Sequence, residues 1–215
     1  NNMEFFIPMY LHVLVRFGKW DEILADPEET NTNYSIKICM QKFARTLAYS
    51  VKGMIPQAEA EFELFKQKRN LVPQVRRIGN NPADKVLEVA EAMANGELLY
   101  RKSHFNEAFS ELRKSSELSD NLIYCEPWDW PMPTRHALGA LLLEQGKHFE
   151  AELVYKQDLR VYKNNVWSLN GLAECYELQS KTDELEEIKL VLAEANSKSK
   201  DKVESSCFCR KKKAI

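Results

Sequence analysis

The sequence predicts an all-α protein built from antiparallel helical pairs, and three observations carry that expectation. Gly139 and Gly171 lie 32 residues apart in matching helix-sized segments, and Ala151 and Leu185 lie 34 apart in the segments that follow. A period of about 34 with small residues at fixed offsets is how stacked two-helix units read in sequence. Apolar residues recur at helical spacing along most of the chain, as in Leu11, Leu14 and Val15, or Phe43, Leu47 and Val51. Finally, seven Gly and eight Pro in 215 residues are too few for the many tight turns of an all-β protein.

The elements follow in order. The first unit spans about residues 3–27: a helix around Leu11 to Val15, a break at Gly18, and a short helix opened by Trp20 and Ile23. Asp26-Pro27 ends it, because the residue before a proline is pushed out of the α region. The second unit spans about 35–69, with Gly53 at its turn, Pro56 in the first turn of the next helix, and Ala58, Phe62 and Phe65 as a buried stripe. Residues 69–81 then read as a loop-like insert that stretches the spacing from Ala58 to Ala108 to 50. Asn81-Pro82-Ala83-Asp84 reads as a helix start with Asn81 as cap, opening a third unit at about 82–119. A second insert, 120–131, carries prolines and tryptophans that exclude a regular helix and stretches the Ala108 to Ala151 spacing to 43. Units four and five follow at about 132–163 and 165–196, the last capped by Asn164-Asn165 and lacking a Gly at its turn. The remaining 197–215 form a Ser- and Lys-rich basic tail, expected to be loose.

Charge narrows the function classes. From Ser197 onward seven Lys/Arg face Asp201 and Glu204, a local +5, which leaves 23 basic and 30 acidic side chains, or −7, on the body. An acidic body argues against nucleic acid, whose phosphates need a basic face. The longest apolar runs are too short to span a bilayer, and the odd count of five cysteines fits a reduced, cytoplasmic setting. The immediately apolar opening, without an initiator Met, reads as a cut through a longer array.

Gly139, Gly146, Ala151 and Tyr155 in one unit, Trp167 and Gly171 in the next, Gly96 and Ala108 before them, and Tyr49, Gly53, Ala58 and Phe62 earlier together resemble the tetratricopeptide (TPR) repeat pattern. The resemblance covers roughly Tyr10 to Ala195 and extends to mostly bacterial TPR proteins that share runs such as LVRFGKWDEIL, ALGALLLEQGK and SSCFC. It implies a right-handed α-α superhelix, a solenoid of about five helical hairpins. The departures are the two long spacings, Thr46 where Gly or Ala is usual, and Leu185 where Ala is usual.

The resemblance further implies that the first helix of each pair lines a concave groove. On that face it would place His12 and Arg16 from unit one and Phe43 and Leu47 from unit two. Met93, Glu97, Tyr100 and Arg101 would come from unit three, Arg135 and His136 from unit four, and Cys175 and Tyr176 from unit five. Such a mix of charge and aromatics suits a peptide or partner helix. Tyr124, Glu126, Trp128 and Trp130 sit in the second insert, either as a lid that shapes a ligand pocket or as packing on exposed helix ends. No metal is expected, because the local Cys and His pairs typical of zinc sites are missing. No phosphate loop, nucleophile elbow or metalloprotease helix points to an enzyme, and no cofactor is implied. Cys207-Phe208-Cys209 with its basic neighbours reads as a weak membrane or metal contact, or as a structural tail with Phe208 docked on the last repeat. The expectation is therefore a binding scaffold for a protein or peptide. The alternatives are a structural half of a longer array, or a small-molecule or enzyme site beneath Trp128 and Trp130.

Overall fold

The computed structural model describes residues 4–198, 203 and 205–210, with the side chain of Phe5 left out. It is all-α. Among the described residues ten α-helices follow one another: α1 (Met9–Arg16), α2 (Trp20–Ala25), α3 (Ser35–Val51), α4 (Ile55–Asn70), α5 (Ala83–Arg101), α6 (Phe105–Asp120), α7 (Thr134–Glu144), α8 (His148–Val161), α9 (Val166–Leu178) and α10 (Thr182–Ser197). Two short strands, β1 (Arg77–Ile78) and β2 (Asn81–Pro82), pair antiparallel between α4 and α5. The chain divides into two compact units, Asn1–Thr134 and Arg135–Ile215.

One backbone turn recurs five times. Gly18, Gly53, Ser103, Gly146 and Ser180 all have positive φ, and each ends the first helix of a pair. At every one the residue itself donates to the carbonyl three back, and the next residue donates to the carbonyl five back: Gly53 to Ser50 and Met54 to Tyr49, for example, or Ser180 to Glu177 and Lys181 to Tyr176. That double bond pattern satisfies the orphaned carbonyls of a helix end and requires a left-handed residue at its centre. Glycine adopts that conformation freely; serine pays a steric cost. Unit five lacks a Gly, as read from the sequence, yet has the same turn as the others, with Ser180 in the left-handed position. The intervals between the five turns are those of the small-residue spacings, because Ile23, Ala58, Ala108, Ala151 and Leu185 each lie five residues past a turn.

In the first unit α5 and α6 run antiparallel, since Gly96 faces Ala108 and Leu112 while Ser115 donates to the carbonyl of Val89. A Cβ on Gly96 would stand 2.6 Å from the Leu112 side chain, so the glycine sets how closely the two helices approach. The core of this unit is Leu11, Ile36, Phe43, Leu47, Phe65, Leu87 and Phe109, all nearly inaccessible. The start of α3 has no side-chain cap from Tyr34; the fully buried Glu4 carboxylate accepts the Ile36 and Lys37 amides instead, at 2.6 and 3.3 Å. A carboxylate at a helix N-terminus answers both its free N–H groups and its dipole.

In the second unit Tyr155 of α8 is the centre. Its ring lies against two glycines: a Cβ would come within 2.5 Å of Cζ at Gly139 and 2.2 Å at Gly171. The 32-residue glycine pair thus makes room on α7 and α9 for one fully buried tyrosine. Asn165 caps α9 as expected, its side chain accepting the Trp167 amide at 3.0 Å. The α10 helix contributes no fully buried residue.

Candidate functional site

The two inserts of the first unit form one structure. Asn81 does not cap α5, as the sequence suggested; Pro82 occupies that position without a side-chain bond. The Asn81 amide instead reaches the second insert, accepting the Ile123 amide at 2.8 Å and donating to the Ile123 carbonyl at 2.9 Å and to Asp129 Oδ2 at 2.6 Å. The Asn80 amide adds a bond to Asp129 Oδ2 at 3.1 Å, and the Asn80 side chain donates to the Tyr124 carbonyl at 2.8 Å. Gly79, at φ +50°, brings the β1–β2 turn under this clasp, where a Cβ would lie 1.9 Å from Asp129 Oδ1. A tertiary partner beat the local cap because Asn81 and Asp129 are both buried, where an unpaired polar group costs more than a missing cap.

The clasp aims the insert's aromatics in opposite directions. Trp130 is buried, its indole edge-on to His12 at 5.0 Å between ring centroids and to Phe43 at 5.5 Å. Tyr124 and Trp128 remain 62% and 41% exposed, edge to face at 5.8 Å, with the Tyr124 hydroxyl donating to Glu126. Burial pulls the His12 imidazole down to about 4, so it is neutral near pH 7 and does not act there as a cationic anchor. Leu47 and Met93 are core residues, and Arg16 is half-buried on α1. Glu97 and Arg101 are buried one turn apart on α5 as an ion pair at 2.7 Å, with the Arg101 guanidinium 5.3 Å from the Tyr100 ring centre. Trp130, His12 and Phe43 are thus brought together; the α5 residues form their own cluster.

The expected groove residues of the second unit are placed differently. Arg135 is half-buried at the head of α7. His136 is buried, stacked on Trp167 with 14° between planes, and its Nε2 lies 3.1 Å from Asp158 Oδ2. Ser168 donates to the same carboxylate oxygen at 2.6 Å. Although Ser, His and Asp meet here, the carboxylate sits between the other two. This order differs from that of a Ser-His-Asp triad, in which the hydroxyl sits on the imidazole. Burial pushes the Cys175 thiol up to about 12, which makes it inert, as it does for Cys39. The ammoniums of Lys156 and Lys181 lie 5.5 and 5.8 Å from the Tyr176 ring centre. Both lysines also bind Glu152, with Gln179 adding a third bond. Burial raises that carboxyl, but these bonds outweigh it and hold it at about 2.

The tail is not loose where it is described. Val203, Phe208 and Arg210 contact α9 and Ser206 contacts Tyr155 of α8, with Ser206 and Cys209 buried. Cys207 and Cys209 are joined by a disulfide, so the expectation of five reduced thiols does not hold for this pair. Phe208 meets Trp167 edge to face at 5.5 Å, in line with the docked-tail reading. The lysines at 211–213, which supported a membrane contact, lie outside the described residues. Among the described residues no group of three or more His, Cys, Asp or Glu is placed to hold a metal, and no helix is long and apolar enough to cross a membrane.

Sequence reasoning picked out Trp128 and Trp130 as special, gave Asn81 the wrong role as a helix cap, and missed Gly79 and Asp129, and on the tail side Asn170, Glu174 and Ser206. A glycine inside a long insert was a usable signal for a tight approach. Asp129 carried none. Comparison with models of known protein families, with curated proteins and with solved structures finds no match.

Proposed function

We propose that the chain is a non-enzymatic interaction scaffold, a TPR-like stack of about five helical hairpins that recognises a protein or peptide partner. Its five equivalent turns and the close helix approaches at Gly96, Gly139 and Gly171 support that architecture. The observation that carries the functional reading is the divided aromatic set of the second insert. Trp130 covers His12 and Phe43, two residues of the expected inner face, while Tyr124 and Trp128 stay at the surface on a backbone that the Asn81 clasp holds. Trp and Tyr on a rigid support are the residues that dominate binding energy at protein interfaces, because they bury much area at little entropy cost. On this reading the inner face of the first unit is occupied by the chain itself, and the partner meets the outer edge of the insert.

The test is quantitative co-purification from cells with the wild-type chain and with a Tyr124→Ala/Trp128→Ala variant. Recovery of the specific partners should fall at least about tenfold, with an unchanged thermal melt. Equal recovery by both chains overturns the proposal.

A further inference from the structure

The tail offers a second, more specific surface. On α9, Trp167, Asn170, Gly171 and Glu174 share one face, at spacings of three, one and three residues. Gly171 has no side chain on that face, so the Tyr155 ring fills the space there, and the tyrosine hydroxyl donates to Ser206 Oγ at 2.6 Å. Asn170 Nδ2 donates to the backbone carbonyl of Val203 at 2.6 Å, a contact that any residue could make. Trp167 receives the Phe208 ring, and Glu174 receives Arg210 Nη1 at 2.6 Å. Ser206, Phe208 and Arg210 present these groups from a turn: the chain bends at 206 and 208–210, and the disulfide-linked Cys207 and Cys209 have Cα atoms 5.3 Å apart.

We propose that this face of α9 is a recognition site for a short turn-forming segment that presents a hydroxyl, an aromatic and a basic residue at alternate positions, held at rest by the chain's own tail. Three features fit that occupant. One side-chain amide reads main chain, as sequence-tolerant peptide recognition requires. An aromatic and a carboxylate stand beside it to select side chains. The body before Ser197 carries −7 against +5 on the tail, so a basic segment is drawn to it in cis or in trans. A tethered ligand competes at an effective concentration on the order of millimolar, so the tail screens out weak partners. This inference rests on the scaffold reading but concerns a different surface and can fail without it.

The probe is a fluorescent octapeptide of residues 203–210 with its Cys207–Cys209 disulfide formed, titrated against the full chain by anisotropy. It should bind a Phe208→Ala/Arg210→Ala chain at least about tenfold more tightly than wild type, because the cis competitor is removed. In that host Glu174→Lys should weaken the peptide about tenfold, and a peptide with Arg210→Glu should recover binding to the Glu174→Lys chain. A milder Arg210→Ala chain serves as host should the double variant lose helical circular dichroism. Absence of binding to either tail-weakened host, equal binding to host and wild type, or failure of the charge swap overturns the site. Should the octapeptide fail while capture through Tyr124 and Trp128 persists, the α9 site falls and the scaffold stands.

Discussion

The second insert and the tail both pack irregular chain onto helices, yet they are attached in opposite ways. The insert is woven in: Trp130 sits inside the first unit, and Asp129 and Asn81 bond each other out of reach of solvent. The tail is laid on: a ring contact, a backbone carbonyl and an ion pair hold it to α9, and a hydroxyl bond holds it to Tyr155 of α8. A woven segment fails only when the unit fails, whereas a laid-on segment can exchange with another. The contrast predicts that damage to the clasp is read as lost stability, and damage to the tail as gained binding.

The largest effect should come from Gly79→Ala. The new methyl would meet Asp129 Oδ1 at 1.9 Å, on a backbone at φ +50° that L side chains rarely adopt. Strain and overpacking together should cost about 4 kcal/mol, read by urea unfolding of the first unit. An unchanged midpoint would mean that the clasp is peripheral.

Next is the pH response of the first unit. The folded His12 imidazole is held at about 4 against an ordinary 6.5, so the unfolded chain binds more protons between those values. Its contribution is fully present above about pH 6.5 and is lost as pH falls toward 4, up to about 3 kcal/mol. His12→Phe should flatten the part of the stability profile between about pH 5 and 6.5; a slope that survives in the variant would assign it to other groups.

In the second unit Gly171→Ala should cost about 2 kcal/mol by driving a methyl into the Tyr155 ring, 2.2 Å away. Tyr155→Leu in the same chain should recover part of that loss, and additive costs by thermal melt would show that the two sites do not couple. The smallest effect is a gain. Ser103→Gly and Ser180→Gly should each stabilise by about 0.5–1 kcal/mol, because glycine takes the left-handed turn without a steric cost. A loss of stability at either would show that the hydroxyl, not the backbone, matters there.

Much of the scaffold was legible in the residues, and much of the site was not. Gly18, Gly53 and Gly146 announced their turns because only a residue free of Cβ takes that conformation without strain. Ser103 and Ser180 hid the same turn, since serine carries no such signature. The glycine pair at 139 and 171 announced a close approach, but that one tyrosine fills both gaps shows only in the packed unit. His12 and Phe43 were expected on a binding face; their closeness to Trp130 depends on how the second insert folds back.

By itself, the sequence determined the helices and the turns marked by glycine, because those obey rules acting over four or five residues. Only the tertiary structure decided what the inserts and the tail touch. Asn81 finds Asp129 across 48 residues, and Tyr155 finds Ser206 across 51. A buried polar group takes whichever partner the packing brings near, and over such separations the local pattern carries no record of which that will be.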